Sequence, residues 1–235
     1  METINITKEN LRTFRPIKKD SVWTDGKRIY KKDYTFDSKK DYYEIFRYFK
    51  ESENCILPDK QLLLNGNPFG YTTSFDKDRT ILKKSILKKN LLFKEKLLII
   101  KNLIKTVKNI HSIGLTHCDI HPNNILISKE DIRLIDFDCA RIKGFTTQRY
   151  YDQSVGIDIA LLNTLILNIL SDEIITLEST LVPLIEMISF SEEFKQYLKD
   201  AILEKEDAKG VYPDSFINEI NGNTEYELKR ILRRI

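Results

Sequence analysis

An α+β fold is predicted for this 235-residue chain. Strand-like runs and turn dipeptides crowd the first third, helical periodicity dominates the remainder, and short apolar runs between 117 and 137 interrupt the helices. Residues 14–34, "FRPIKKDSVWTDGKRIYKKDY", read as a three-stranded meander, because Asp25-Gly26 is a hairpin signal between aromatic and branched runs. A helix follows over 37–51, where Tyr42, Ile45 and Phe49 recur at helical spacing. "KQLLLNGNPFGYTTSF" returns to strand chemistry around Asn65-Gly66. These elements make a small lobe, residues 1–75, with an antiparallel sheet and one helix.

The second lobe, 76–235, begins with a basic hinge and a short solvated helix over 76–90. A longer helix over 93–113 has a stripe of Leu97, Ile100, Ile104, Val107 and His111. Beyond residue 150 the pattern is helical to the final "EYELKRILRRI", with breaks at Pro183, Gly210 and Pro213. The apolar run "IALLNTLILNIL" (159–170) is too short to cross a bilayer and reads as a buried helix, so no membrane span is expected. His111 reads as a packed or capping side chain rather than a ligand.

Composition narrows the function classes. With 38 Lys and Arg against 35 Asp and Glu, the net charge of +3 gives no electrostatic footprint for nucleic acid. The opening residues are charged and lack the apolar stretch of a secretion signal. Cys55, Cys118 and Cys139 have no CxxC spacing, which argues against zinc and suits free thiols in the cytoplasm.

The chemistry concentrates in "THCDIHPNNILISKEDIRLIDFDCAR", residues 116–141. If "NILI" and "RLID" pair as a hairpin, Asn124 before the first strand and Asp136 after the second arrive at the same end, near Asp119. An amide and a carboxylate there suit Mg2+, a hard cation held by few protein oxygens together with substrate phosphates. Asp119 is then left to orient a hydroxyl nucleophile.

"HCDIHPNN" followed by "IDFD" resembles the catalytic loop and metal-binding motif of the protein kinase superfamily, HRDxxxxN and DFG. That resemblance implies a bilobal kinase-like fold and transfer of the ATP γ-phosphoryl group to a hydroxyl. It makes Asp119 the catalytic base, with His121 beside it where protein serine/threonine kinases usually have Lys. Asn124 and Asp136 become the Mg2+ ligands, and His117 braces the loop under Phe137. "KRIYKK" is similar to the strand that supplies the phosphate-binding lysine, which assigns Lys31, or its neighbour Lys32, to ATP and Glu44 to that lysine. Asp158 resembles the helix-start aspartate that anchors the catalytic loop.

The departures bear on substrate. No GxGxxG lies in "IKKDSVW", where Lys18, Lys19 or Ser21 is left to approach the phosphates. Cys118 replaces the Arg that receives an activation-loop phosphate, and Asp138 replaces the Gly of DFG. "HPNN" and "DFD" look more like aminoglycoside and choline kinase relatives. The acceptor is therefore a protein, by a narrow margin, or a small hydroxylated compound. A binding scaffold without chemistry is the third alternative, against which the intact Asp119, Asn124 and Asp136 weigh.

Overall fold

Two units account for the chain, Met1–Arg79 and Thr80–Ile235. A computed structural model describes residues 2–33, 54–128, 131–145, 147–203 and 210–233. The first unit contains strand β1 (Glu2–Ile6), helix α1 (Lys8–Thr13), β2 (Arg15–Lys18), β3 (Val22–Thr24), β4 (Arg28–Lys32), β5 (Lys60–Leu64) and β6 (Asn67–Ser74). They form one six-stranded sheet in the order β1-β5-β6-β4-β3-β2.

Turn chemistry sets its hairpins. Asn65 (φ 51°) and Gly66 (φ 82°) both take positive φ, as a tight hairpin twist between β5 and β6 requires. Between β3 and β4, Gly26 takes φ 89° while the Asp25 carboxylate accepts the amides of Lys27 and Arg28 at 2.8 Å each. On β6, a Cβ at Gly70 would sit 2.0 Å from the Lys31 carbonyl oxygen, so glycine is what lets the two strands close. Ile6, Tyr30 and Leu62 form the core, joined by Phe14, Trp23 and Phe69, and Tyr30 stacks on Phe14 at 4.5 Å.

The sheet differs from the expected antiparallel one in a single pairing: β1 runs parallel to β5, from Glu2 opposite Lys60 to Ile6 opposite Leu64. "ETINI" does alternate polar and apolar residues, but its partner is distant in sequence and no turn residue announces it. Helix α1, closed by a Thr7–Asn10 capping box, was likewise not expected. The helix expected over 37–51 lies outside the described residues.

The second unit runs β7 (Thr80–Ile81), α2 (Leu82–Lys88), α3 (Phe93–Ser112), β8 (Leu115–Thr116), β9 (Ile125–Ile127), β10 (Ile132–Leu134), β11 (Arg141–Ile142), α4 (Gln148–Ser171), α5 (Glu178–Met187), α6 (Glu192–Ile202) and α7 (Gly222–Leu232). Helix α4 is its axis, packed by α3, α6 and α7. It starts at Gln148, so Asp158 lies well inside the helix rather than at its beginning. The added turns make α4 long and apolar enough to cross a membrane by length and composition, yet 78% of its most apolar window is buried within the protein. A helix that is apolar all round is a core helix when its neighbours cover it.

Helix α3 buries Ile99, Ile100, Leu103, Ile104, Val107 and Ile110, and on the same face Lys96, which is 0% exposed. Its ammonium lies 2.7 Å from both Asp172 Oδ1 and Glu225 Oε1. Lys229 of α7 lies 2.6 Å from each of the same two carboxylates. Two cations and two anions thus join α3, the end of α4 and α7. Burial pushes the Glu225 carboxyl up, but hydrogen bonds from Lys229 and Lys96 outweigh it and hold its pKa below the ordinary value.

Candidate active site

The hairpin read from the sequence forms as expected: β9 and β10 pair antiparallel, with Ile127 opposite Ile132 and Ile125 opposite Leu134. One residue beyond that ladder, the Ile135 amide donates to the Asn124 carbonyl at 2.9 Å. The ladder therefore brings the backbone beside Asp136 to Asn124. Pro122–Asn124 forms a 3-10 turn, pre-set by the fixed φ of Pro122, which delivers Asn124 buried at the strand start.

Asn124 is oriented by Asp119. Its Nδ2 donates to the Asp119 carbonyl and to Asp119 Oδ2, both at 3.0 Å, which turns the amide oxygen Oδ1 away from Asp119. His121 Nε2 lies 3.4 Å from the same Oδ2. The Asn123 amide donates to His121 Nδ1 at 3.1 Å, so a neutral ring carries its proton on Nε2, facing Asp119. With Oδ2 occupied by Asn124 and His121, Oδ1 is the Asp119 oxygen left for a reacting group. The Asp119 side chain is 44% exposed, which suits such a role.

Asp158 supports this loop from α4. It is 0% exposed, and its two oxygens accept the backbone amides of His117 (2.7 Å) and Cys118 (2.6 Å). Cys118 adopts φ 60°, a conformation that costs an ordinary residue ~1–2 kcal/mol, and the bond to Asp158 helps hold it there. His117 is buried, its Nε2 2.9 Å from the Ile135 carbonyl and its ring edge-on to Phe137 at 4.5 Å, the bracing expected of it. Burial lowers the His117 pKa against the pull of Asp158, Asp119 and Asp136, so the ring is held neutral. Burial, reinforced by Asp158, pushes the Cys118 thiol up, and this cysteine is not an activated nucleophile.

The remaining assigned residues are Asp136, Lys31 with its neighbour Lys32, and Glu44. Asp136 follows β10 with φ 69° and opens the 3-10 turn Phe137–Cys139. Lys31 belongs to the first unit, half-buried on β4 with its ammonium 5.7 Å from the Tyr71 ring centre, while Lys32 lies 5.7 Å from that of Phe69. Glu44 lies outside the described residues. Between β2 and β3 there is a tight turn with Asp20 at φ 58°, and the Ser21 hydroxyl is buried.

A protein kinase domain profile matches residues 74–156, the stretch that holds this loop, the hairpin and the first turns of α4. That stretch of the chain is similar to a protein kinase domain. Its relatives include the mitogen-activated protein kinase HOG1 of Exserohilum turcicum, 38% identical over 55 residues, which cover 21% of this chain and 17% of that protein. HOG1 of Scheffersomyces stipitis is 40% identical over 55 residues, 21% of this chain and 14% of the relative. The mitogen-activated protein kinase sakA of Aspergillus fumigatus is 38% identical over 55 residues, 21% of this chain and 15% of its own length. The chain thus matches 14 to 17% of the length of these relatives.

The amide oxygen of Asn124, turned away from its own hydrogen-bond partner, is of the chemical kind that suits Mg2+, and Asp136, the other residue assigned to the metal, opens the turn after β10. Among the described residues no three His, Cys, Asp or Glu side chains cluster as a metal cage. Sequence reasoning missed the residues behind Asp158: His111 Nε2 lies 2.8 Å from Asp158 Oδ2, and His111 Nδ1 lies 2.7 Å from the Tyr212 hydroxyl. His111 was legible as packed, but Tyr212 comes from a distant irregular segment with no local signal.

Proposed function

We propose that the chain is an ATP- and Mg2+-dependent phosphotransferase that moves the γ-phosphoryl group to a hydroxyl, that of a protein serine or threonine. Residues 1–75 act as the nucleotide-binding lobe and 76–235 as the catalytic lobe of one kinase-like domain. The observation that carries this reading is the Asp119–Asn124 pair at the end of the β9–β10 hairpin: one carboxylate oxygen engaged, the other available, and an amide oxygen turned outward. Asp119 Oδ1 accepts a hydrogen bond from the acceptor hydroxyl and aligns it for in-line attack; His121 and Asn124 keep the carboxylate from rotating. Asn124 and Asp136 would hold Mg2+, which supplies charge neutralisation to the phosphates when bound. Lys31 would place a cation on those phosphates, with Glu44 as its partner. The three free thiols suit a cytoplasmic setting.

Radiolabelled ATP and Mg2+ with generic protein acceptors, and separately with aminoglycosides and choline, test transfer and acceptor class together. Asp119→Asn should abolish transfer while the thermal shift caused by ATP and Mg2+ persists. Asp136→Ala should abolish that shift. Turnover of Asp119→Asn equal to that of the parent protein would overturn the assigned role.

A further inference from the structure

Helix α3 buries one side in the core and presents charge of a single sign on the other. Glu95, in its first turn, is its only acidic residue. Lys101, Lys105 and Lys108 follow at four- and three-residue spacing, which sets them one above the other on a single helix face. Like charges at that spacing repel, and no carboxylate of α3 lies three or four residues from any of them. Lys101 and Lys105 are exposed, and among the described residues neither has a carboxylate partner.

This row lines a groove of about 250 Å3 within the second unit. Across from it stand Asp214 and Ile217 of the 3-10 turn Pro213–Glu219, and Ile104 and Ile217 supply the aliphatic lining. Asp214 is the one acid of the lining, and it is already engaged: Lys108 Nζ lies 2.8 Å from its Oδ2 and 5.4 Å from the Tyr212 ring centre. That bridge ties the turn to the helix and leaves Lys101 and Lys105 as uncompensated charge beside the groove.

The lining selects its occupant. The volume lies below the ~300–1,000 Å3 of small-molecule pockets and suits one or two aliphatic side chains against the isoleucines and the lysine stems. From Lys101 to Lys108 the row extends over ~10 Å of helix axis, more than a lone phosphate or carboxylate bridges. An extended peptide covers that length with about three residues at ~3.3 Å each. A nucleic acid strand would meet the charge but bring nothing aliphatic to Ile104 and Ile217.

We propose that this groove docks an acidic segment of a protein partner, which seats an aliphatic side chain against Ile104 and Ile217 and sets carboxylates on Lys101 and Lys105. No residue of the Asp119 loop lines the groove, so the inference stands independently of the phosphotransferase reading.

The test uses the full chain and three fluorescein-labelled peptides of equal length, followed by anisotropy at low salt: glutamates around one leucine, the same glutamates around a serine, and lysines around the leucine. The glutamate–leucine peptide should bind at least about tenfold tighter than the lysine peptide and about threefold tighter than the serine one. Its affinity should fall several-fold as salt rises from ~0.05 to ~0.3 M. Lys101→Glu combined with Lys105→Glu should weaken it about tenfold and strengthen binding of the lysine peptide, a gain that misfolding cannot produce. Ile217→Ser should remove the leucine advantage while the preference for glutamate persists. Absence of binding, equal binding of the glutamate and lysine peptides, an affinity untouched by the double substitution, or a leucine that adds nothing would overturn the proposal. Single-stranded DNA or phosphatidylserine vesicles that bind tighter than the peptide, and are lost in the same double variant, would overturn it by making the face one for nucleic acid or membrane.

Discussion

Replacing Lys96 by Met removes an ammonium from between Asp172 Oδ1 and Glu225 Oε1, each 2.7 Å away, while nearly preserving side-chain length. Asp172 is 2% exposed and cannot recover the lost interaction from water. Removing one partner of a buried pair costs about 3–5 kcal/mol, and because Lys229 remains 2.6 Å from both carboxylates we expect the low end, ~3 kcal/mol. At a urea dependence of ~2 kcal/mol per molar, the unfolding midpoint should fall by ~1.5 M. Far-UV circular dichroism is the appropriate signal, because it follows helices α3 to α7, whereas the single tryptophan, Trp23, reports on the first unit. Adding Asp172→Asn removes the charge left in excess, so the double variant should be more stable than the sum of the single losses by about 1 kcal/mol or more. A midpoint shift below ~0.3 M, or strict additivity in the double variant, would refute the idea that these four charges act as one buried unit.

The same cluster sets a pH window. The Glu225 pKa is depressed in the folded protein, so its contribution is present above the ordinary glutamate value of about 4.3 and is lost as pH falls through the lower folded value. Burial lowers the Lys229 pKa, but hydrogen bonds to Asp172 and Glu225 raise it overall; its contribution is present below about 10.4 and is lost as pH rises through the higher folded value. Glu225→Gln should flatten the acid limb of a stability profile measured by urea titration. His117, held neutral by burial, should make stability fall as pH drops below about 6.5, and His117→Asn should weaken that slope. Asp158→Asn should cost ~3 kcal/mol and speed hydrogen exchange at the His117 and Cys118 amides, because one oxygen of the anchoring carboxylate becomes a donor facing donors. Gly70→Ala should destabilise the first unit by more than ~1 kcal/mol in thermal unfolding followed by Trp23 fluorescence, since the added carbon meets the Lys31 carbonyl.

What the sequence revealed and what it hid divide along a physical line. Local chemistry was legible: Asn65-Gly66 and Asp25-Gly26 turned where their φ preferences allow, and "NILI" and "RLID" paired because a short polar stretch of sequence separates two apolar runs. The Asp119, His121 and Asn124 cluster was legible because all three lie on one loop. Elements whose partners are distant were not. The β1–β5 pairing, the Tyr212 contact with His111 and the buried Lys96 depend on segments brought together only by folding. Lys96 was not singled out in the sequence for a specific reason. The apolar stripe of α3 was counted from hydrophobic residues alone, although a lysine with its counter-charges in place occupies a core position as fully as a leucine.

The loop and the buried charges are connected through α4. Cys118 and Asp136 both take left-handed backbone conformations, at φ 60° and φ 69°, on either side of the Asp119–Asn124 pair. Each conformation is unfavourable in isolation by ~1–2 kcal/mol and persists only where surrounding contacts outweigh it. For Cys118 that contact is Asp158, midway along α4, whose far end stops at Asp172 in the charge cluster. A helix freed at one end can shift along its axis, and a displacement of a few tenths of an ångström would lengthen the 2.6 Å bond from Cys118 to Asp158. Lys96→Met should therefore raise the hydrogen-exchange rate of the Cys118 amide under native conditions, even though the two residues share no partner among the described residues. An exchange rate at Cys118 that stays at the parent value while the α4 terminus loosens would show that the loop is held by its own contacts with His117 and Phe137, and not by the helix.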